Sequence, residues 1–143
     1  MRPIQKIILH CSATDAERHD NIKYIDNLHT SFGWDGIGYN FFIDKSGALW
    51  LGRPIHKVPA ATYGHNRTSI AICVSGLKYF KNPQFDSLKK LCLNLVITFG
   101  LGHTNIHAHN EFNKNKTCPV FDIEPIKFHV EQYIWGSNWK KKE

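Results

Sequence analysis

The sequence predicts a single α/β domain with a central mixed β-sheet flanked by helices. Strand-like apolar runs alternate with segments of helical periodicity, and one hairpin is inserted among them. The length of 143 residues suits one domain, and the fractions of 42% hydrophobic and 21% charged residues are those of an ordinary globular protein. We find no internal repeat, linker or low-complexity segment.

The first half of the chain predicts a strand, a helix and a hairpin. Residues 5–11 alternate into an apolar run and predict the first strand. Residues 21–32 carry apolar side chains at helical spacing, followed by a glycine that suits a helix end. Residues 38–44 and 48–52 flank a Lys-Ser-Gly turn and predict a hairpin. Residues 53–68 form a long irregular connection, and loops of that length in compact domains are often functional.

The second half predicts two more strands and two more helices. Residues 69–75 are β-branched and apolar, as expected of a central strand. Residues 84–99 place six apolar side chains on one face and give the clearest amphipathic helix. Residues 104–108 predict a short strand, and a last helix is expected over roughly 122–134. A short basic tail is expected from about residue 136.

Charge and hydropathy narrow the classes of partner. The formal net charge of +6 and the pI near 9.2 attract polyanions such as nucleic acid, anionic lipid or acidic wall polymers. No aromatic-basic motif supports specific nucleic-acid binding. No apolar run is long enough to span a bilayer, so no membrane insertion is expected. The first residues lack the features of a signal peptide, which predicts a protein made in the cytosol.

The cysteines and histidines differ in context. The four cysteines show no paired spacing, so no disulfide framework is predicted. Cys73 and Cys92 lie in apolar patterns typical of small buried residues, whereas Cys118 stands in a polar loop before Pro119. Five of the nine histidines have no neighbour that suggests chemistry and are expected to be incidental. They are His19, His29, His56, His103 and His129.

Histidines and a cysteine at three places in the chain predict a metal site. His10 ends a predicted buried strand, and strand ends in α/β domains are where sites are built. His107 and His109 lie two residues apart, so a strand would direct them to the same side, and Cys118 follows in the next loop. Imidazole and thiolate are zinc ligands, and three protein ligands leave a fourth position for water, as in catalytic sites. The spacing alone also occurs in unrelated sequences.

Four segments in register resemble the zinc-dependent N-acetylmuramoyl-L-alanine amidases, a family that includes phage amidase-type lysozymes and peptidoglycan-recognition proteins. They read HCSAT at 10–14, GYNFFI at 38–43, SIAIC at 69–73, and AHNE with KTCPVFD within 108–122. The resemblance covers roughly residues 4 to 130, and four ordered motifs are more specific than any one of them. The family fold is a mixed sheet flanked by helices, which agrees with the pattern above.

The resemblance implies roles for individual residues. His10, His109 and Cys118 match the zinc ligands. Tyr39 matches a strand tyrosine beside the metal, and Lys116 matches a lysine that faces the scissile carbonyl. The chemistry is consistent, because zinc activates water while a cation and a hydroxyl stabilise the developing oxyanion. Either Tyr39 or Lys116 could move a proton, and Glu111 is a general-base candidate that we rank below Tyr39.

Substrate contacts are implied in the irregular loop, where the chain also departs from the family. The expected substrate-binding residues are Thr62, His65 and Asn66. The family often carries a histidine in this loop, but residues 59–62 contain none, so either His65 replaces it from further along the chain or the contact is missing. Asn40 replaces the histidine that usually follows the tyrosine. These differences concern substrate specificity and the level of activity, and they remove no expected zinc ligand.

The resemblance therefore implies a zinc amidase that cleaves the bond between N-acetylmuramic acid and L-alanine in peptidoglycan. The chain is expected to act as a monomer and to reach the wall after lysis or by a dedicated export route. The alternative on the same fold is a non-catalytic peptidoglycan-binding module, which usually lacks the cysteine ligand. A basic nucleic-acid-binding protein rests on net charge alone.

Overall fold

The computed structural model describes the backbone of residues 1–142 and the side chains of residues 1–136. These residues form five strands and three α-helices. The strands are β1 (Lys6–Cys11), β2 (Phe41–Ile43), β3 (Leu49–Leu51), β4 (Ser69–Val74) and β5 (Ile106–Ala108). The helices are α1 (Ile22–Ser31), α2 (Asn82–Phe99) and α3 (Glu124–Lys142).

The strands build one mixed sheet in the order β3-β2-β4-β1-β5. Strand β1 lies between β4 and β5 and is parallel to both, while β2 is parallel to β4. Only β3 is antiparallel, because a tight turn joins it to β2 as a hairpin. The predicted α/β fold with a mixed sheet is confirmed.

Helices cover both faces of the sheet, and the alternation of side chains in each strand assigns residues to the two faces. Ile7, Leu9 and the alternate residues of β4 pack with apolar residues of α2 and α3 in the larger core. On the opposite face, Phe42 and Cys73 pack against Ile25 of α1. With both faces covered, β1 and β4 are buried along most of their length, which explains their continuous apolar sequences.

Several element boundaries differ from the sequence-based expectation. The predicted strand at 104–108 begins only at Ile106, because residues 103–105 form a 3-10 turn. The hairpin strands are shorter than predicted, and α2 begins two residues earlier, with Pro83 in its first turn. Helix α3 continues past the predicted end at 134, through Gly136. The lysine side chains of the predicted basic tail lie outside the described residues.

The ends of two parallel strands define the place where chemistry can occur. Strand β1 ends with His10 and Cys11, and β5 ends at Ala108, one residue before His109. Because β1 and β5 are parallel neighbours, their carboxyl ends lie side by side at the same edge of the sheet. No helix of the part described here is long and apolar enough to cross a membrane.

Candidate metal centre

His10, His109 and Cys118 come together at this edge of the sheet. One ligand atom from each lies within 4.8 Å of the other two. The rings of His10 and His109 have centroids 4.6 Å apart. Within the part of the chain that the structure describes, no other group of three or more histidines, cysteines or carboxylates is as close. The three residues that the sequence nominated are therefore neighbours, although more than a hundred positions separate the first from the last.

Backbone hydrogen bonds hold Cys118 in place. The amide of Cys11 at the end of β1 donates to Sγ of Cys118 at 3.0 Å. The amide of Asn110 donates to the carbonyl of Cys118, also at 3.0 Å. The loop from 112 to 118 is thereby closed onto the ends of β1 and β5, which explains how a residue in a polar loop becomes part of the site.

The protonation states of the histidines suit metal binding. Burial, followed by the nearby His109, lowers the pKa of His10 to about 3. Burial also lowers the pKa of His109, and the positive charge of Lys116 contributes. Both rings are therefore neutral near pH 7, and each has a nitrogen lone pair available to a cation.

The thiol of Cys118 responds differently. Contact with the Cys11 thiol and burial both raise the pKa of Cys118, so its thiolate is disfavoured without a neighbouring positive charge. A bound metal cation provides that charge, because a coordinating thiol loses its proton. Two neutral imidazoles and a thiolate form a nitrogen and sulfur donor set that fits zinc.

A groove of about 380 Å³ opens over the triad. Its walls include Tyr39 and Lys116 together with His29, Trp34 and Tyr63. A larger cavity of about 540 Å³ lies between the start of α2 and residues 121–126, but no histidine or cysteine lines it. The chemistry of the lining, and not the volume, therefore identifies the candidate site.

Tyr39 lies beside the triad, two residues before the start of β2. Its ring centroid is 5.4 Å from that of His10. Burial raises the pKa of Tyr39 well above its ordinary value, so the hydroxyl keeps its proton and can donate a hydrogen bond. The preceding residue must be glycine, since a Cβ at Gly38 would come within 2.4 Å of the carbonyl oxygen of Ala60. This close approach places the loop after residue 59 against the groove.

Lys116 is exposed and lines the same groove, two residues before Cys118. Its charge acts on His109, as the lowered pKa of that histidine indicates. Tyr39 and Lys116 therefore present a hydroxyl donor and a cation to one cavity, as the sequence-based hypothesis requires. Their catalytic roles stay predictions.

The predicted substrate-binding residues occupy three different positions. Thr62 is only 2% exposed, and its Oγ1 lies 3.4 Å from Nε2 of His10. Oδ1 of Asn66 accepts hydrogen bonds from the amides of Ala61 and Thr62, so this side chain shapes its own loop. The ring of His65 packs on Phe112 with centroids 4.2 Å apart. None of the three is among the residues that line the groove, so direct substrate contact by them stays a prediction.

Two aspects of the site differ from the sequence-based expectation. His29, which looked incidental, lines the groove, and its Nδ1 accepts the amide of Gly38 at 2.9 Å. His107 was expected on the same side as His109, but it pairs with Glu111 at 3.2 Å, because β5 ends before His109 and strand alternation stops there. The carboxylate of Glu111 also accepts the amide of Ala108, which leaves it a weaker candidate for a general base.

The sequence alone gives no sign of the aromatic wall of the groove, which only the fold reveals. Trp34 follows the end of α1, and Tyr63 is 99% exposed in the loop after residue 59. Both line the groove, although they lie 29 residues apart in sequence. A helical or strand periodicity could not have paired them, because neither residue is in a helix or a strand.

Comparisons with known proteins agree with this geometry. Residues 1–121 match the family described as N-acetylmuramoyl-L-alanine amidase. The chain is 31% identical to the endolysin of Klebsiella phage KP32, over 83% of this chain and 82% of that protein. It is 32% identical to the endolysin of Escherichia phage T7, over 82% of each chain. Its structure is similar to that of the N-acetylmuramoyl-L-alanine amidase LysC from Clostridium intestinale, with a TM-score of 0.81 and 28% identity, over 90% of this chain and 86% of that one.

Proposed function

The chain belongs to the N-acetylmuramoyl-L-alanine amidase family, and from this premise we propose that His10, His109 and Cys118 bind a zinc ion that serves its hydrolytic reaction. The family and the phage endolysin relatives make the chain a peptidoglycan hydrolase of the amidase type. The bond cleaved is the amide between N-acetylmuramic acid and the L-alanine of the stem peptide. The observation that carries the zinc proposal is the set of three ligand atoms within 4.8 Å of one another beside the groove.

The three ligands have distinct tasks. His10 is buried and neutral, so it offers a lone pair from a position that the sheet fixes. His109 reaches the same point from the end of β5, and Cys118 adds a thiolate whose Sγ accepts the Cys11 amide. Zinc bound by three protein ligands supplies Lewis acidity at the scissile carbonyl and makes water nucleophilic near neutral pH.

Tyr39 and Lys116 stabilise the charge that develops on the carbonyl oxygen. The Tyr39 hydroxyl stays protonated because burial raises its pKa, and it donates a hydrogen bond to the oxyanion. Lys116 places a positive charge in the same groove. Both groups act most strongly in the transition state, where the charge is largest, and this is the condition for accelerating the reaction.

The groove also provides surfaces for the rest of the substrate. Trp34 and Tyr63 offer aromatic faces, and His29 offers a ring nitrogen, on walls that surround the triad. Sugar rings and short peptide side chains can pack on such faces. We propose a muropeptide of peptidoglycan as the occupant, bound by a monomer in which residues 1–143 act as one amidase domain.

The products of digestion test the proposal. Purified peptidoglycan incubated with the enzyme is expected to gain L-alanine amino termini, measured by dansylation or mass spectrometry, without new reducing sugar ends. New reducing ends without new amino termini would instead mean cleavage of a glycosidic bond. Sedimentation with intact walls and no product of either kind would favour a binding module.

A further inference from the structure

A buried hydroxyl lies behind one of the expected zinc ligands. Oγ1 of Thr62 is 3.4 Å from Nε2 of His10, and the two residues are 2% and 1% exposed. A buried hydroxyl without a hydrogen-bond partner costs free energy, and Nε2 of His10 is the partner of the Thr62 hydroxyl. Thr62 and His10 are 52 positions apart, and the contact joins the irregular loop to strand β1.

The contact decides which imidazole nitrogen is left for a metal. A neutral imidazole has one N–H and one lone pair, and the group that binds one nitrogen sets the role of the other. If Nε2 carries the proton and donates it to Oγ1 of Thr62, Nδ1 keeps the lone pair and is the nitrogen that can bind a cation. A hydroxyl that accepts a hydrogen bond from a ligand histidine also fixes the orientation of its ring.

We propose that Thr62 is a positioning residue: its hydroxyl accepts the Nε2–H of His10, fixes the tautomer of that ring and leaves Nδ1 as the zinc ligand. This inference rests on the proposed function, because it requires that His10 binds zinc. It gives Thr62 a role through His10, in place of the direct substrate contact that the family resemblance implied.

Hydrogen bonds within the loop around Thr62 fix the position of its hydroxyl. Oδ1 of Asn66 accepts the Thr62 amide at 2.8 Å and the Ala61 amide at 3.0 Å. The carbonyl of Thr62 accepts the amide of His65 at 3.0 Å. Arg2 then fastens the end of the loop, since its Nη1 donates to the carbonyl of Ser69 at 2.7 Å. The backbone amide and carbonyl of Thr62 therefore make their hydrogen bonds within the loop, and its side-chain hydroxyl contacts His10.

Zinc affinity measured on three proteins tests the role. Thr62→Val keeps the shape of the side chain and removes the hydroxyl, whereas Thr62→Ser keeps the hydroxyl. Competition with a chromogenic chelator is expected to show zinc bound about 10- to 100-fold more weakly by Thr62→Val, as for other outer-shell partners of metal-bound histidine. Thr62→Ser is expected to retain most of the wild-type affinity. Denaturant unfolding of the metal-free proteins checks that each is folded.

A direct reading of the ring completes the test. In the zinc-loaded wild type, two-bond ¹H–¹⁵N correlation spectra are expected to show zinc on Nδ1 of His10 and a proton on Nε2. Thr62→Ala, which also lacks the hydroxyl, is expected to lose zinc affinity like Thr62→Val and replaces it if the valine variant does not fold.

The outcomes separate this inference from the proposed function. Equal zinc affinity in the wild type and the hydroxyl-free variants would overturn the role of Thr62 and leave zinc binding intact. Zinc on Nε2, or an equal loss of affinity in Thr62→Ser and Thr62→Val, would overturn it as well. A wild-type protein that binds no zinc would instead refute the proposed function on which the inference depends.

Discussion

Replacing Asn40 by alanine is expected to destabilise the protein strongly, because its side chain makes hydrogen bonds to β4 and to the irregular loop that no strand residue makes. Asn40 directly precedes β2 and is 2% exposed. Its side-chain Oδ1 accepts a hydrogen bond from the backbone amide of Ala71 at 3.0 Å, and its backbone amide donates to the carbonyl of Ala71 at 2.9 Å. On its other side, Nδ2 donates to the carbonyl of Arg53 at 3.1 Å. One amide side chain thus joins β4 to the start of the irregular loop.

The magnitude follows from the groups that the substitution leaves without partners. Asn40→Ala strands the buried amide of Ala71 and the carbonyl of Arg53. Each buried group that loses its partner costs about 1–3 kcal/mol, so the expected loss in the free energy of unfolding is about 2–6 kcal/mol. Domains of this kind are stable by about 5–15 kcal/mol, so the variant would lose a large part of its stability. Asn40→Asp would also be destabilised, because it places a carboxylate against the carbonyl of Arg53.

Urea unfolding followed by circular dichroism measures the loss. A chelator is included throughout, so that metal binding to the native state does not contribute. Asn94→Ala is the control, because Asn94 is exposed on α2 and its variant should lie within about 0.5 kcal/mol of the wild type. A free energy of unfolding for Asn40→Ala as close to the wild type as that of the control would show that the Asn40 side chain does not stabilise the sheet.

Three further substitutions test the groove and the loop beside it. Tyr39→Phe is expected to lower kcat by about 10²–10³-fold with zinc retained, because a hydrogen-bond donor to the oxyanion is lost; an unchanged kcat would exclude this role. Lys116→Met is expected to lower kcat/KM while the protein stays folded. Lys114 is also exposed but does not line the groove, so Lys114→Met should match the wild type. Equal effects of the two substitutions would mean that only the net charge matters. Asp15 forms an ion pair with Lys45 at 2.8 Å and accepts hydrogen bonds from backbone amides, and these contacts hold its pKa below the ordinary value of 3.8. Its contribution to the free energy of unfolding is therefore present above about pH 4 and is lost as the pH falls below that. Thermal unfolding between pH 7 and pH 3 should therefore show a smaller acid-induced fall for Asp15→Asn than for the wild type, and parallel curves would contradict the assignment.

Much of the fold could be predicted from the sequence, because both faces of the sheet are covered. Burial on two faces makes β1 and β4 continuous apolar runs, and the large core gives α2 a clear apolar stripe. Boundaries were harder to predict where side chains or short turns replace regular hydrogen bonds. Asn40 substitutes for a strand residue, and residues 103–105 form a 3-10 turn before β5. Neither feature has a periodicity that a sequence pattern could reveal.

The site was predictable to a different degree for each residue. His10, the His107/His109 pair and Cys118 could be identified as candidates because they stand at strand ends or in a following loop. The family resemblance selected His109 and added Tyr39 and Lys116. Their meeting within 4.8 Å depends on the sheet order, which spacing does not provide.

The residues that the sequence did not place correctly act through the irregular loop and the turn after α1. Thr62 was assigned to substrate contact, yet it faces His10 from inside the protein. His29 and Trp34 line the groove because α1 ends beside it, and a helical pattern indicates only which residues face the core.

Zinc content and cleavage, measured on the same samples, test whether hydrolysis depends on zinc bound by His10, His109 and Cys118. Metal analysis by mass spectrometry would be combined with product analysis on a defined muropeptide, for the wild type, the chelator-stripped protein and Cys118→Ala. We expect a single zinc ion per wild-type chain, release of peptides with an L-alanine amino terminus, loss of both in Cys118→Ala, and recovery of the stripped wild type on adding zinc. Full cleavage by the stripped protein would contradict zinc-dependent hydrolysis, and full cleavage by Cys118→Ala with its zinc retained would contradict the assignment of Cys118 as a ligand.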